Sequence, residues 1–201
     1  MAKNSLLKLD YFLPMALSNE ADALTDIIGG KKAINNGATK VFEGFSFDGI
    51  SSYIDSKYNP AIDRINYFQD NAQIDIFTFI QLNTGTLFGS SSKLLQNGTY
   101  SINGGDNPST TVTDKSLNSA YRTGSTSSGL VKDGVIAYTN TGISSPIISS
   151  ILNIGSNNTV GNYFNGTISL FSAGAAIGVD QAAKNNHYRQ FLEDLGISLT
   201  P

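Results

Sequence analysis

The run QIDIFTFIQL, residues 73–82, alternates with a period of two, and neither of its faces is uniformly polar. Ile74, Ile76, Thr78 and Ile80 share one side; Gln73, Asp75, Phe77, Phe79 and Gln81 share the other. A strand with water on one side carries polar residues there. Two phenylalanines on the second face demand cover on both sides, so this segment is expected to be a central strand.

Further short apolar runs stand at 41–47, 52–56, 85–89, 98–102, 111–114, 129–132, 134–139, 151–154 and 166–172. Turn pairs punctuate them: Asn36-Gly37, Asp48-Gly49, Asn97-Gly98, Asn103-Gly104, Asp133-Gly134 and Asn165-Gly166. Asn36-Gly37 reads as a hairpin. Asp48-Gly49 is expected to turn the chain between two strands, the second starting at Tyr53-Ile54 and crossing the sandwich. Many short strands at this spacing predict a β-sandwich or barrel, and 201 residues fit one such domain. The Ser/Thr/Asn/Gly-rich stretch 103–128 reads as a long loop.

The period changes near the end. Asp180 is placed as an N-cap, and Ala183, His187 and Phe191 follow at four-residue steps beside Tyr188, Leu192 and Leu195. Gly196 sits where a helix stops. This predicts an amphipathic helix over 181–195, closing the sandwich through Phe191, Leu192 and Leu195. At the other end, residues 1–20 form an apolar arm. Leu6, Leu7, Phe12 and Leu13 are expected to contact a partner subunit; the alternative is that the arm docks on its own sandwich.

Composition narrows the function. Only 14% of residues are charged, the formal net charge is −3, and Lys31-Lys32 is the sole basic doublet, which argues against a nucleic-acid partner. There is no cysteine, hence no thiolate chemistry. Lys8, Asp10 and Pro14 break the N-terminal apolar run, so neither a signal peptide nor a membrane span is expected.

Taken in order, FSFDGISSYIDSKYNP, QIDIFTFI, SAYRTGS, GLVKDGVIAYTNTG, SILNIGS and YFNGTISLFSAGAAIGVDQAAKNNHYRQFLEDLG resemble the laminin-G-like, concanavalin A-like jelly-roll domains of phage tail, head-decoration and other virion proteins. The resemblance covers roughly residues 20–197. It implies an all-β fold: a two-sheet antiparallel jelly-roll over 21–201, with an N-terminal arm (1–20) and a C-terminal α-helix. It also implies a non-catalytic phage virion surface or accessory protein that decorates capsid or tail, with attachment to host glycans as a further role. Its partners would be other virion proteins or further copies of itself, and its location the virion. A bacterial carbohydrate-binding module is the second reading, a glycoside hydrolase the third.

The superfamily resembled includes β-glucanases, which set acidic residues along one strand as Glu-x-Asp-x-x-Glu. Here Gln73, Asp75 and Thr78 occupy those positions, so two of the carboxylates are missing. Asp75 is then a solvated or hydrogen-bonded strand residue. His187, the sole histidine, lacks the partners of a triad or zinc site. No cofactor is implied; calcium on the loop Gly104–Asn107 is the one inorganic option, against which stands the ordinary use of Asp and Asn in turns. Tyr58, Tyr100, Tyr121 and Tyr163 are the candidate sugar platforms, although tyrosine is also an ordinary strand residue.

Overall fold

The computed structural model describes residues 7–82, 85–89, 93–96, 99–100, 102–104, 107–108, 113–157, 162–176 and 178–200. The two-faced run becomes β6 (Ala72–Gln81), at the centre of an eight-stranded antiparallel sheet. The order across that sheet is β13 (Val135–Asn140), β12 (Ser127–Lys132), β11 (Ser116–Gly124), β6, β15 (Asn165–Gly174), β4 (Gly44–Asp48) and β3 (Thr39–Val41). β1 (Leu9–Leu13) pairs with the later half of β15. The second sheet runs β10 (Asn107–Pro108), β9 (Thr99–Tyr100), β8 (Lys93–Gln96), β7 (Thr86–Gly89), β14 (Asn153–Ile154), β5 (Tyr53–Asp55) and β2 (Ile34–Asn36).

Between the sheets lies the main core, including Phe45, Phe47, Ile54, Ile74, Ile76, Phe88 and Phe171. A second cluster covers the outer face of the first sheet. There Leu9, Phe12, Phe77, Leu117 and Leu170 pack against Tyr188 and Leu192 of helix α3 (Gln181–Asp194), with Phe191 and Leu195 at the margin. β6 is thus covered on both sides, as its two phenylalanines demand. Two one-turn helices, α1 (Glu20–Ala23) and α2 (Pro60–Asp63), complete the elements, each capped by an asparagine side chain. Among the described residues no helix is long and apolar enough to cross a membrane.

The caps of α3 are where its sequence puts them. Asp180 accepts from Ala183 N at 2.9 Å, and Gly196 takes φ +85°. The buried stripe, however, is Lys184, Asn185, Tyr188 and Leu192, and His187 is exposed. An apolar period cannot see a stripe whose first two members are polar.

Three local expectations fail for physical reasons. The loop expected over 103–128 contains β11, a nine-residue strand beside β6. Its buried positions are Ser116, Asn118, Ser119 and Arg122 as well as Leu117, Ala120 and Tyr121, so it carries no apolar alternation. Asn36-Gly37 makes no hairpin, because β2 and β3 belong to different sheets and the pair carries the chain between them. Asn165-Gly166 is no turn either: it opens β15, and a Cβ on Gly166 would lie 2.1 Å from the Ile80 carbonyl oxygen. Asp48-Gly49 does leave the first sheet for the second, with Tyr53 starting β5.

The arm is also corrected. Phe12 and Leu13 are buried within β1, which is a strand of the chain's own sheet, so neither is free to meet a partner subunit. Leu7 is 72% exposed, and Leu6 lies outside the described residues. Truncating Leu192 to alanine is expected to cost about 2–5 kcal/mol. His187→Ala, at an exposed position of the same helix, should stay within about 0.5 kcal/mol. Urea denaturation of the two variants checks this, and equal effects would mean that the helix does not dock by the buried stripe.

Candidate functional site at the loop end of the first sheet

Asp75, the carboxylate on the glucanase-like strand, is sealed. Its side chain is 1% exposed and pairs at 2.5 Å with Lys184, itself 3% exposed. Ser172 donates to its other oxygen at 2.7 Å and Gln73 Nε2 to the first at 2.9 Å. Burial pulls the Lys184 ammonium below the usual lysine range, and Asp75 opposes that. Helix α3 therefore lies where a substrate would have to reach this carboxylate. The group is a hydrogen-bonded strand residue, and a buried one.

The candidate tyrosines whose side chains are described, Tyr58, Tyr121 and Tyr163, do not meet at one site. Tyr58 is buried against Tyr11, ring centroids 5.3 Å apart, and burial pushes its phenol far above the ordinary range. It is no sugar platform, since a stacking face needs access. Tyr121 is buried with Val131 and Ala176 on the outer face of the first sheet. Tyr163 is half-buried, bridged to Thr86 near the second sheet. The Tyr100 side chain lies outside the described residues, as do Gly105 and Asp106 of the calcium-type loop. Among the described residues no group of three or more acidic or histidine side chains gathers at one point.

A different site forms at one end of the first sheet, where β6 begins and β11 and β13 end. A pocket of about 680 Å³ opens there, lined by residues that include Arg64, Phe68, Gln69, Asp70, Asn71, Thr123 and Pro146. Phe68 and Asn71 exchange both backbone hydrogen bonds, 2.8 and 3.1 Å, so Gln69 and Asp70 form the tip of a tight hairpin. Phe68 is 50% exposed. Asp70 Oδ1 is withdrawn from water and finds no hydrogen-bond partner among the described residues.

Two buried ions hold these walls. Asp10, on β1, accepts from the amides of Ile65 at 3.0 Å, Asn66 at 2.7 Å and Tyr67 at 2.8 Å, and from the Asn66 side chain at 2.9 Å. Its carboxylate thus sets the course of the chain from Arg64 into Phe68. Arg122, at the end of β11, is fully buried, and its donors meet the carbonyls of Ile102, Gly104, Gly124, Ser125 and Gly142 at 2.7–3.3 Å. Burial pulls its guanidinium below the usual range; Asp70 and then Tyr67 pull it back. Asn103 joins the two halves: it accepts from the Tyr67 hydroxyl at 3.1 Å and donates to the Phe68 and Gln69 carbonyls at 3.2 and 3.0 Å.

No protein-family model and no curated protein matches the sequence. Solved structures do. The chain is similar to domain 4 of AbnA, a GH43 extracellular arabinanase from Geobacillus stearothermophilus, solved in complex with arabinotriose; the TM-score is 0.57 at 12% identity, over 88% of this chain and 97% of that one. It is similar to the binding domain of botulinum neurotoxin serotype D, with a TM-score of 0.63 at 14% identity over 90% and 52%. It is also similar to Trypanosoma rangeli sialidase in complex with 2,3-difluorosialic acid, at 0.61 and 15% over 92% and 33%. The chain spans about half of the toxin domain and a third of the sialidase.

The fold is a jelly-roll β-sandwich. At these identities the likeness is one of fold. The residues lining the loop-end pocket of this jelly roll were missed from sequence because RINYFQDN, residues 64–71, lies between strand patterns and has no period of its own. The signal was a phenylalanine out of period, followed by three planar polar side chains.

Two outcomes are expected. Asp75→Ala strands a buried ammonium and should cost about 3–5 kcal/mol, whereas Asp75→Leu with Lys184→Met should recover most of it; urea denaturation distinguishes them, and equal costs would contradict a pair that matters through its charges. Asp10→Ala should lose about 2–4 kcal/mol by leaving buried amides without an acceptor, again read by denaturation. No loss would mean that the 65–67 amides are satisfied without Asp10.

Proposed function

We propose that this chain is a non-catalytic glycan-binding jelly roll that holds a saccharide in the loop-end pocket. The observation that carries the reading is the make-up of that pocket: the Phe68 ring, 50% exposed, stands beside the polar side chains of Arg64, Gln69, Asp70 and Asn71. Polar side chains at such an opening pair with ligand hydroxyls in place of water. A sugar ring offers such hydroxyls on its rim and an apolar C–H face for Phe68. Gln69 and Arg64 supply further planar donors at the same opening. The arabinotriose complex of a domain with this fold supports looking first among polysaccharides.

The non-catalytic part is supported by two features. Asp75 is sealed, and Asp70 is the one carboxylate among the described residues lining the pocket, where glycoside hydrolysis by the usual route needs two. The wider setting is a phage virion, with the chain decorating capsid or tail beside other virion proteins and its pocket turned to host-surface glycans. That setting rests on the sequence resemblance.

Binding to a polysaccharide panel that includes arabinan, laminarin and bacterial surface glycans, followed by calorimetry on the best ligand, tests the reading. Phe68→Ala and Asp70→Ala are each expected to weaken binding at least about tenfold, which is about 1.4 kcal/mol, with the fold intact by circular dichroism. Binding that neither change affects, or no glycan bound at all, contradicts it.

A further inference from the structure

Asparagine is a thermolabile residue, and most so before glycine. The glycine amide nitrogen can reach the asparagine side-chain carbonyl carbon because no Cβ stands in its way. Folding decides which such pairs react: the side chain must be free to swing, the amide must be unbonded and water must reach both. The chain has four pairs of this kind. Asn36-Gly37, Asn103-Gly104 and Asn165-Gly166 lie among the described residues, and Asn97-Gly98 lies outside them.

Two of the three are locked. Asn103 is 2% exposed; its side chain accepts from the Tyr67 hydroxyl at 3.1 Å and donates to the Phe68 and Gln69 carbonyls at 3.2 and 3.0 Å. Asn165 opens β15, where Gly166 is paired on both sides, with Phe47 and with Gln81. Backbone held in two ladders does not bend into a five-membered ring.

Asn36-Gly37 meets every condition. Asn36 is the last residue of β2, a three-residue strand at the edge of the second sheet, and pairs there with Tyr53. Among the described residues its side chain makes one hydrogen bond, to the Ile34 carbonyl at 3.2 Å on the exposed surface. Gly37 is exposed, takes φ +85°, and its amide makes no hydrogen bond among the described residues. A Cβ on Gly37 would meet nothing nearer than Ser52 Cβ at 3.9 Å, so the bend has room to move. Opening the last pair of a short edge strand frees the Asn36 backbone, and such ends fray at little cost.

We propose that Asn36 is a self-modification site. The Gly37 nitrogen bonds to Asn36 Cγ, the Cγ–Nδ2 bond breaks, and Nδ2 leaves as ammonia with the proton that the Gly37 amide gives up. Water then adds to either carbonyl of the succinimide and breaks one of its C–N bonds, leaving aspartate or isoaspartate. The reaction needs no oxidant, metal or enzyme. Isoaspartate puts an extra methylene into the main chain, and a negative charge, where the chain crosses from the second sheet to the first. Asn35 clamps that crossing, accepting from Ala38 N and donating to Ala38 O, both at 2.8 Å, so the methylene must be taken up between them. The new carboxylate is the group that isoaspartyl methyltransferases esterify. The site is independent of what the loop-end pocket holds.

Ageing the full chain in warm, mildly alkaline buffer, folded and in urea, tests this by peptide mapping. Cleavage after Lys32 and Lys40 releases residues 33–40, in which fragment masses separate Asn36 from Asn35. In the folded chain Asn36 should convert within about tenfold of its unfolded rate, whereas Asn103 and Asn165 should each fall more than about a hundredfold behind theirs. The product should split into an aspartate and an isoaspartate peak, the second alone taking a methyl group from S-adenosylmethionine through an isoaspartyl methyltransferase. Asn36→Gln, whose longer side chain closes the ring poorly, should leave residues 33–40 unconverted with circular dichroism unchanged. Asn36 protected by folding as strongly as Asn103 and Asn165 overturns the proposal. So does conversion of that peptide at Asn35 instead.

Discussion

The Asp10 carboxylate makes no ion pair among the described residues, and the loop end depends on it. Three consecutive amides, from Ile65, Asn66 and Tyr67, point at its two oxygens. A buried carboxylate is tolerable when its lone pairs are filled by fixed donors. A loop is tolerable inside a protein when its backbone groups are paired. One interaction meets both conditions, and it ties the first strand to the segment that presents Phe68. Arg122 is the mirror image: a buried cation solvated by five carbonyls rather than by a directly bonded carboxylate. Between them the two ions hold chain from five stretches of sequence, and the pocket lies beside the loops they tie down.

The same use of buried polar partners seals Asp75, the carboxylate that the resemblance sets on the glucanase-like strand. Helix α3 puts Lys184 and Tyr188 over Asp75 and Ser172, and Ser172 Oγ lies 3.0 Å from the Tyr188 hydroxyl. The outer face of the first sheet has become a second core with a small polar centre. The loop end, by contrast, keeps an open pocket whose side chains are presented by backbone tied down through Asp10 and Arg122.

Much of the fold was legible in the sequence. Two-faced apolar character marked β6 as central, and Asp180 and Gly196 marked the ends of α3, because burial and capping leave residue-type signatures at short range. β11 was illegible for the opposite reason. Its interior positions are Asn118 and Arg122, polar groups that are stable there only through partners distant in sequence, such as Thr78, Ile102 and Gly142. The docking of the arm was equally hidden, since an apolar segment looks the same whether it covers its own sheet or another subunit. The pocket was missed because its walls come from residues 61–71, 123–124 and 146–147, which only the fold brings together. Tyrosines drew attention as platforms, and most of those described are needed inside.

The account turns on whether the chain at 65–67 is held by Asp10 as firmly as a strand. Native-state amide hydrogen exchange by nuclear magnetic resonance measures this residue by residue. The Ile65, Asn66 and Tyr67 amides lie outside regular structure, yet they are expected to be protected to a degree comparable with β6, exchanging only in larger openings of the fold. Exchange of these three amides at the rate of a free surface loop, with β6 still protected, would contradict the claim that a single buried carboxylate builds the site.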